Sequence, residues 1–186
     1  HMVYSNKGPG YLGYLNDLTG RRVEAVASYL ALVRRQPEND SAWYNLAAIA
    51  VEEGQPTNAA YAIERVLERA PGDAAALALA ERVEGIERTS PPPPKTRRIC
   101  RRARREFSDG DAAAAIARLG AAAWLDEASP LPHHFLSNIH YLAGRPAKAL
   151  EHARAALERA PNNPMYRRNV AALEHDAAPE MEEAAR

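Results

Sequence analysis

An all-α solenoid of stacked helical hairpins is the fold class that this 186-residue sequence predicts, and three observations predict it. The phrase "ERAPGD" at 68–73 returns as "ERAPNN" at 158–163, an offset of 90 that also carries Gly54-Gln55-Pro56 onto Gly144-Arg145-Pro146, Ala59 onto Ala149 and Leu46 onto Leu136. Inside the first half an offset of 34 sets Gly20 against Gly54, Ala25 against Ala59 and Pro37 against Pro71. The third observation is punctuation. Gly54, Gly110 and Gly144 stand where a first helix ends, because glycine permits a left-handed backbone. Pro56 and Pro146 stand where the next helix can begin without its first amide donors, and Pro71 and Pro161 end that second helix.

A period of 34 with W-x2-L-G-x2-Y, then A-x3-F, then proline is the signature of the tetratricopeptide repeat, a helix-turn-helix unit. Residues 40–73 resemble that family through Trp43, Leu46, Ala47 and Ala50, followed by Ala59, Ile63 and Pro71. Residues 6–39 match at Leu12-Gly13, Gly20, Ala25, Tyr29 and Pro37, without the tryptophan. Residues 130–163 match at Leu136, Gly144, Ala149, Ala153 and Pro161, with His133 in the tryptophan's place. The unit at 96–129 matches least: Gly110, Ala115 and Leu119 fit, but Arg102 occupies a leucine position and Pro130 arrives three residues late. The small residues let two helices approach closely, while Trp43, Leu46, Ile63 and Leu67 fill the space between them. Each hairpin has an apolar side it cannot cover alone, so neighbours must stack. The resemblance implies a right-handed superhelix of about ten helices.

The elements follow in order. The first half, 1–88, holds hairpins at 6–39 and 40–73 and a capping helix at 74–88. Two periods account for 68 of the 90 residues, and the remaining 22 are 74–95, a helical stretch followed by "TSPPPPK". In the cap, Leu77, Ala80 and Val83 read as the apolar stripe, with Glu81, Arg82, Glu84, Glu87 and Arg88 on the polar side. Leu79 and Ile86 supply apolar surface away from that stripe and favour one continuous superhelix over two free lobes. The linker 89–95 contains Pro91 to Pro94, which read as a stiff polyproline II spacer; a helix-breaking connector is the plain reading, a docking site for a proline-recognising domain the other. The second half, 96–178, holds hairpins at 96–129 and 130–163 and a cap at 164–178, before an acidic tail at 179–186.

Composition narrows the function. With 46% hydrophobic and 26% charged residues the chain can bury a core, and 24 basic against 24 acidic residues give it no overall pull toward nucleic acid or anionic membrane. No apolar run reaches the roughly 18 to 20 residues of a membrane-spanning helix, so no membrane span is expected. His1-Met2 reads as a tag remnant and 3–6 as a cut into a longer protein, so targeting information is not legible. The single cysteine, Cys100, excludes an internal disulfide. It leaves the compartment open, and a soluble fragment fits the cytoplasm. Cys100 lies among Arg98, Arg101 and Arg102, which would stabilise a thiolate, but a small apolar contact beside Ile99 serves equally.

Catalysis needs convergent polar groups in a pocket, and no such set is visible. His133, His134, His140, His152 and His175 show no H-x-x-x-H or H-E-x-x-H spacing, so no metal and no cofactor is expected. "GPGYLGYL" neither follows a strand nor ends in a phosphate-binding lysine pair, which makes Tyr11 and Tyr14 packing or groove residues.

"KTRRICRRARR" at 95–105 holds seven basic residues in eleven and gives 95–186 a net charge of +3, from 15 basic and 12 acidic residues. Residues 1–94 carry 9 and 12, a net of −3. Ile99, Ala103 and Phe107 supply an inward stripe that leaves the arginines outside. Such a run is either a solvated face or a site. The resemblance implies that the first helix of each hairpin lines a concave groove receiving a peptide or partner helix. By that alignment the second half presents Arg97, Arg101 and Arg104, then His134, Asn138 and Tyr141, then Arg168; the first half presents Tyr14, Tyr44, Asn45 and Ala48. The basic set suits an acidic segment, because arginine forks bind carboxylates in pairs. The clamp by which some family members hold acidic chaperone tails is not matched: only Asn45 fits, with Gly10, Tyr14, Ala75 and Leu79 at the other places. The expected function is a non-catalytic protein-protein interaction scaffold of open oligomeric state. The alternative is a helical-repeat RNA binder using the arginine helix.

Overall fold

The computed structural model describes residues 21–84, 86 and 95–184, with backbone alone at 84 and 177–184. Residues 6–20, including Tyr14 and the expected first helix of the hairpin at 6–39, lie outside them, as do the four linker prolines. The described residues form nine helices and no strand: α1 Arg22–Arg35, α2 Asp40–Glu52, α3 Pro56–Leu67, α4 Ala74–Glu84, α5 Lys95–Ser108, α6 Ala112–Leu125, α7 Leu131–Leu142, α8 Pro146–Arg159 and α9 Pro164–Ala184. The fold is an all-α helical repeat of paired hairpins.

Short polar side chains start several of the helices. Asn39 Oδ1 accepts from the Ala42 amide at 3.0 Å, Asp73 Oδ1 from Ala76 at 2.8 Å, and Asn163 Oδ1 from Met165 at 2.9 Å. These caps stand 34 and 90 residues apart, so the sequence period is also a period of helix starts. The inner turns repeat too. The Gln55 amide donates to the Ala50 carbonyl at 2.8 Å and Gly54 to Val51 at 3.2 Å; Arg145 to His140 and Gly144 to Tyr141 repeat the pattern at 2.9 and 3.0 Å. This paired closure needs a left-handed residue, and Gly54 and Gly144 both supply φ of 67°.

The chain forms two compact units, His1–Pro91 with Trp124–Glu127, and Pro92–Ala123 with Ala128–Arg186. In the first, Val26 and Tyr29 of α1, Leu46 and Ile49 of α2, Ile63 and Val66 of α3, and Leu79 of α4 are buried, with alanines 25, 47, 50, 59, 62 and 76 at the close approaches. The cap departs from expectation: Leu77 is 43% exposed, while Ala76 and Leu79 are buried. Asp73 fixes the start of α4 and therefore its rotation, which turns Leu79 inward and Leu77 out. Within the same unit, the Trp124 indole donates to the Leu46 carbonyl at 3.3 Å, Asn58 Nδ2 donates to the Trp124 carbonyl at 2.9 Å, and the Glu127 amide donates to Gln55 Oε1 at 2.8 Å.

The second unit has two apolar clusters. One joins Cys100 and Ala103 of α5, Ala115 and Leu119 of α6, and Leu136 and Ile139 of α7. The other joins Ala149, Leu150 and Ala153 of α8 to Val170 and Leu173 of α9. Helix α9 continues to Ala184 as one helix, through residues that read as a tail.

Candidate interaction face

Helix α5 is held by one narrow stripe. Thr96, Cys100 and Ala103 are buried, Ile99 and Phe107 half-buried, and Arg97, Arg98, Arg101, Arg102, Arg104 and Arg105 all exposed. Positions 96, 100, 103 and 107 repeat at helical spacing, so the stripe that anchors α5 leaves every arginine outside it. Cys100 is 1% exposed within the cluster, so its thiol faces apolar side chains. That burial favours the packing reading of Cys100 over the thiolate one.

A bidentate ion pair fastens the α5–α6 hairpin. Arg118 Nε donates to both oxygens of Glu106, at 2.9 and 2.8 Å, and its terminal nitrogen reaches Oε1 at 2.7 Å. Both side chains are mostly buried, which strengthens this fork relative to a solvent-exposed pair. Glu106 also receives Arg102 at 3.4 Å. Among the described residues, no carboxylate bridges Arg97, Arg98, Arg101, Arg104 or Arg105.

Adjacent helices continue the face. Arg104 lies over the Phe135 ring of α7 at 5.6 Å, a cation–π contact that leaves the guanidinium edge open. His134 packs between Phe135 and Tyr166 of α9, with ring centroids 5.5 and 5.4 Å away, and its Nε2 is 3.5 Å from Asn138 Nδ2. Burial holds the His134 pKa below the ordinary imidazole value, so near neutral pH it is an uncharged hydrogen-bonding group. Asn138 and Arg168 are exposed. Tyr141, half exposed, donates its hydroxyl to Asp176 Oδ2 at 3.2 Å. Positive charge is therefore concentrated on α5, and a carboxylate stands where α7 meets the later part of α9. In the first unit Tyr44 is half-buried and Asn45 is buried at 7% exposure, so the Asn45 amide is not on an open surface. Phe135, the Glu106–Arg118 fork and a row of three histidines in the α7–α8 hairpin were not singled out by sequence reasoning. Comparing positions at the offset of 90 is the signal that finds the histidines.

Residues 19–74 match one family model described as tetratricopeptide repeat, and residues 130–163 match a second with the same description. The chain is a tetratricopeptide repeat protein. No curated protein matches the sequence. Among solved structures it is similar to the MamA protein, at 15% identity over 95% of this chain and 85% of that one, with a TM-score of 0.39. It is similar to a thermophilic TPR protein in Thermus thermophilus, at 20% identity over 89% and 96%, with a TM-score of 0.40. It is also similar to a tetratricopeptide repeat protein from Parabacteroides merdae, at 15% identity over 89% and 69%, with a TM-score of 0.36. Likenesses this distant transfer no property to this chain. Among the described residues no helix is long and apolar enough to cross a membrane.

Proposed function

We propose that this chain is a non-catalytic protein-interaction module whose α5 face, continued by α7, takes an acidic segment of a partner protein. One observation carries the reading: Arg97, Arg101 and Arg104 stand exposed at spacings of four and three, on the side of α5 that the apolar stripe leaves outside. Three guanidinium forks on one face can converge on a single ligand, and a carboxylate-bearing segment suits them in charge and geometry. Phe135 and neutral His134 beside them add an apolar floor and a hydrogen-bonding group.

The test is a titration of a labelled glutamate-rich peptide, and of labelled single-stranded RNA, at physiological salt. Changing Arg97, Arg101 and Arg104 together to glutamate is expected to abolish peptide binding. None of the three belongs to the buried stripe, so the fold loses little beyond the Arg104–Phe135 contact, about 0.5–1 kcal/mol. Unchanged peptide binding by the triple variant overturns the proposal. Tight RNA binding that survives high salt, where phosphate contacts weaken steeply, favours the RNA-binding alternative instead.

A further inference from the structure

Between α7 and α8 three imidazoles stand in a row. His133 and His140 are seven residues apart on α7, about two turns, and so share a face. His152 comes from α8 between them. Its Nδ1 lies 3.4 Å from His133 Nδ1, with ring centroids 5.7 Å apart. On its other side it stacks on His140, with centroids 5.4 Å apart and planes 12° from parallel. His140 is 7% exposed, and its Nδ1 is buried with no hydrogen-bond partner among the described residues. The rings form a line rather than converge on a point, and among the described residues no group of three His, Cys, Asp or Glu could hold a metal ion.

The offset of 90 places the same three positions at Trp43, Ala50 and Ala62 in the α2–α3 hairpin. There an indole and two methyl groups, all buried, fill the equivalent space. Imidazoles are therefore not required to pack such a hairpin; they add titratable groups at a contact that is apolar in its counterpart. Two facing nitrogens 3.4 Å apart share a hydrogen bond only while one of them is unprotonated. The charged surroundings oppose protonation. Arg159 acts on His133, and Lys148 and Arg145 act on His140, where Glu151 acts the other way. From the neighbouring helices, Glu174 of α9 is held by Arg154 at 2.9 Å and Arg104 of α5 lies over Phe135, both engaged elsewhere.

We propose that the α7–α8 hairpin is a pH-sensitive element: the neutral row His133–His152–His140 closes it, and protonation of the row loosens it, together with the α7 residues His134, Asn138 and Tyr141. Burial, then Arg159, then His152 bring the His133 pKa down from 6.5 to about 4. Burial, then Lys148 and Arg145, lower that of His140 against Glu151. A histidine with a depressed folded-state pKa binds its proton more readily in the unfolded chain. Its stabilising contribution is complete above the unfolded value of 6.5 and is lost as pH falls toward about 4, where the folded His133 protonates as well. Between pH 6.5 and pH 4 His133 alone raises the unfolding constant about 80-fold.

The full chain tests this, with the α2–α3 hairpin as the internal template. The graft His133→Trp with His140→Ala and His152→Ala is compared with the parent by denaturation at a series of pH values between about 7 and 4. Carboxylates titrate in both, so the difference between the two curves isolates the row. The parent is expected to lose more stability than the graft on acidification. Equal losses overturn the proposal. Because the graft could fail to fold, the imidazole ring protons of the parent are also titrated by NMR. A folded His133 that titrates well below 6.5 supports the proposal, and one that titrates near 6.5 overturns it.

Discussion

Trp43 shows what one side chain contributes here. It is 8% exposed, its indole N–H donates to the Pro37 carbonyl at 2.7 Å, and its ring meets Tyr61 edge-on at 5.6 Å. Replacing Trp43 by alanine removes a large buried surface and leaves the Pro37 carbonyl without that donor. The expected cost is about 3–5 kcal/mol by urea denaturation, and a variant as stable as the parent would contradict the packing. Trp43 was legible because the repeat signature marks its position. The choice between Leu77 and Leu79 was not, since on a short alanine-rich helix apolar spacing leaves the rotation undefined until Asp73 fixes the start. His134 also differs from a plain reading of its type: a histidine in a basic row suggests added charge, but its contacts with Phe135 and Tyr166 keep it neutral.

At the scale of elements, the glycine and proline punctuation predicts helix ends well because each mark has a backbone cause. A methyl group added at Gly144 would meet no atom within 4 Å, so the penalty of Gly144→Ala comes from its positive φ alone. That penalty is about 1–2 kcal/mol, read by thermal or urea unfolding. Replacing Asn39 by alanine removes the α2 cap and is expected to cost about 0.5–2 kcal/mol in the same assay. The end of α9 was not legible. The last buried residue among its described side chains is Leu173, and the sequence beyond it carries no apolar stripe to mark how far the helix runs. The α5–α6 hairpin was only faintly visible, because Arg102 stands at a leucine position. The structure meets the missing leucine with an exposed arginine paired to Glu106, and the hairpin is held by Cys100, Ala103 and Leu119 with the Arg118 fork.

Over the whole molecule, charge is balanced in sum and divided in sequence, with −3 before residue 95 and +3 from there on. Any preference for an acidic partner must therefore arise locally, on α5, rather than from the field of the entire protein. Exposed pairs of this kind are screened over about 8 Å at physiological salt and about 3 Å at 1 M, so binding should weaken steadily as salt is added. The most direct measurement is an NMR titration of the isotope-labelled chain with a glutamate-rich peptide. The account predicts shifts centred on Arg97, Arg101 and Arg104 and extending to His134 and Asn138, reversed by high salt. Shifts confined to the first unit, or none at a peptide concentration that saturates other basic surfaces, would contradict it.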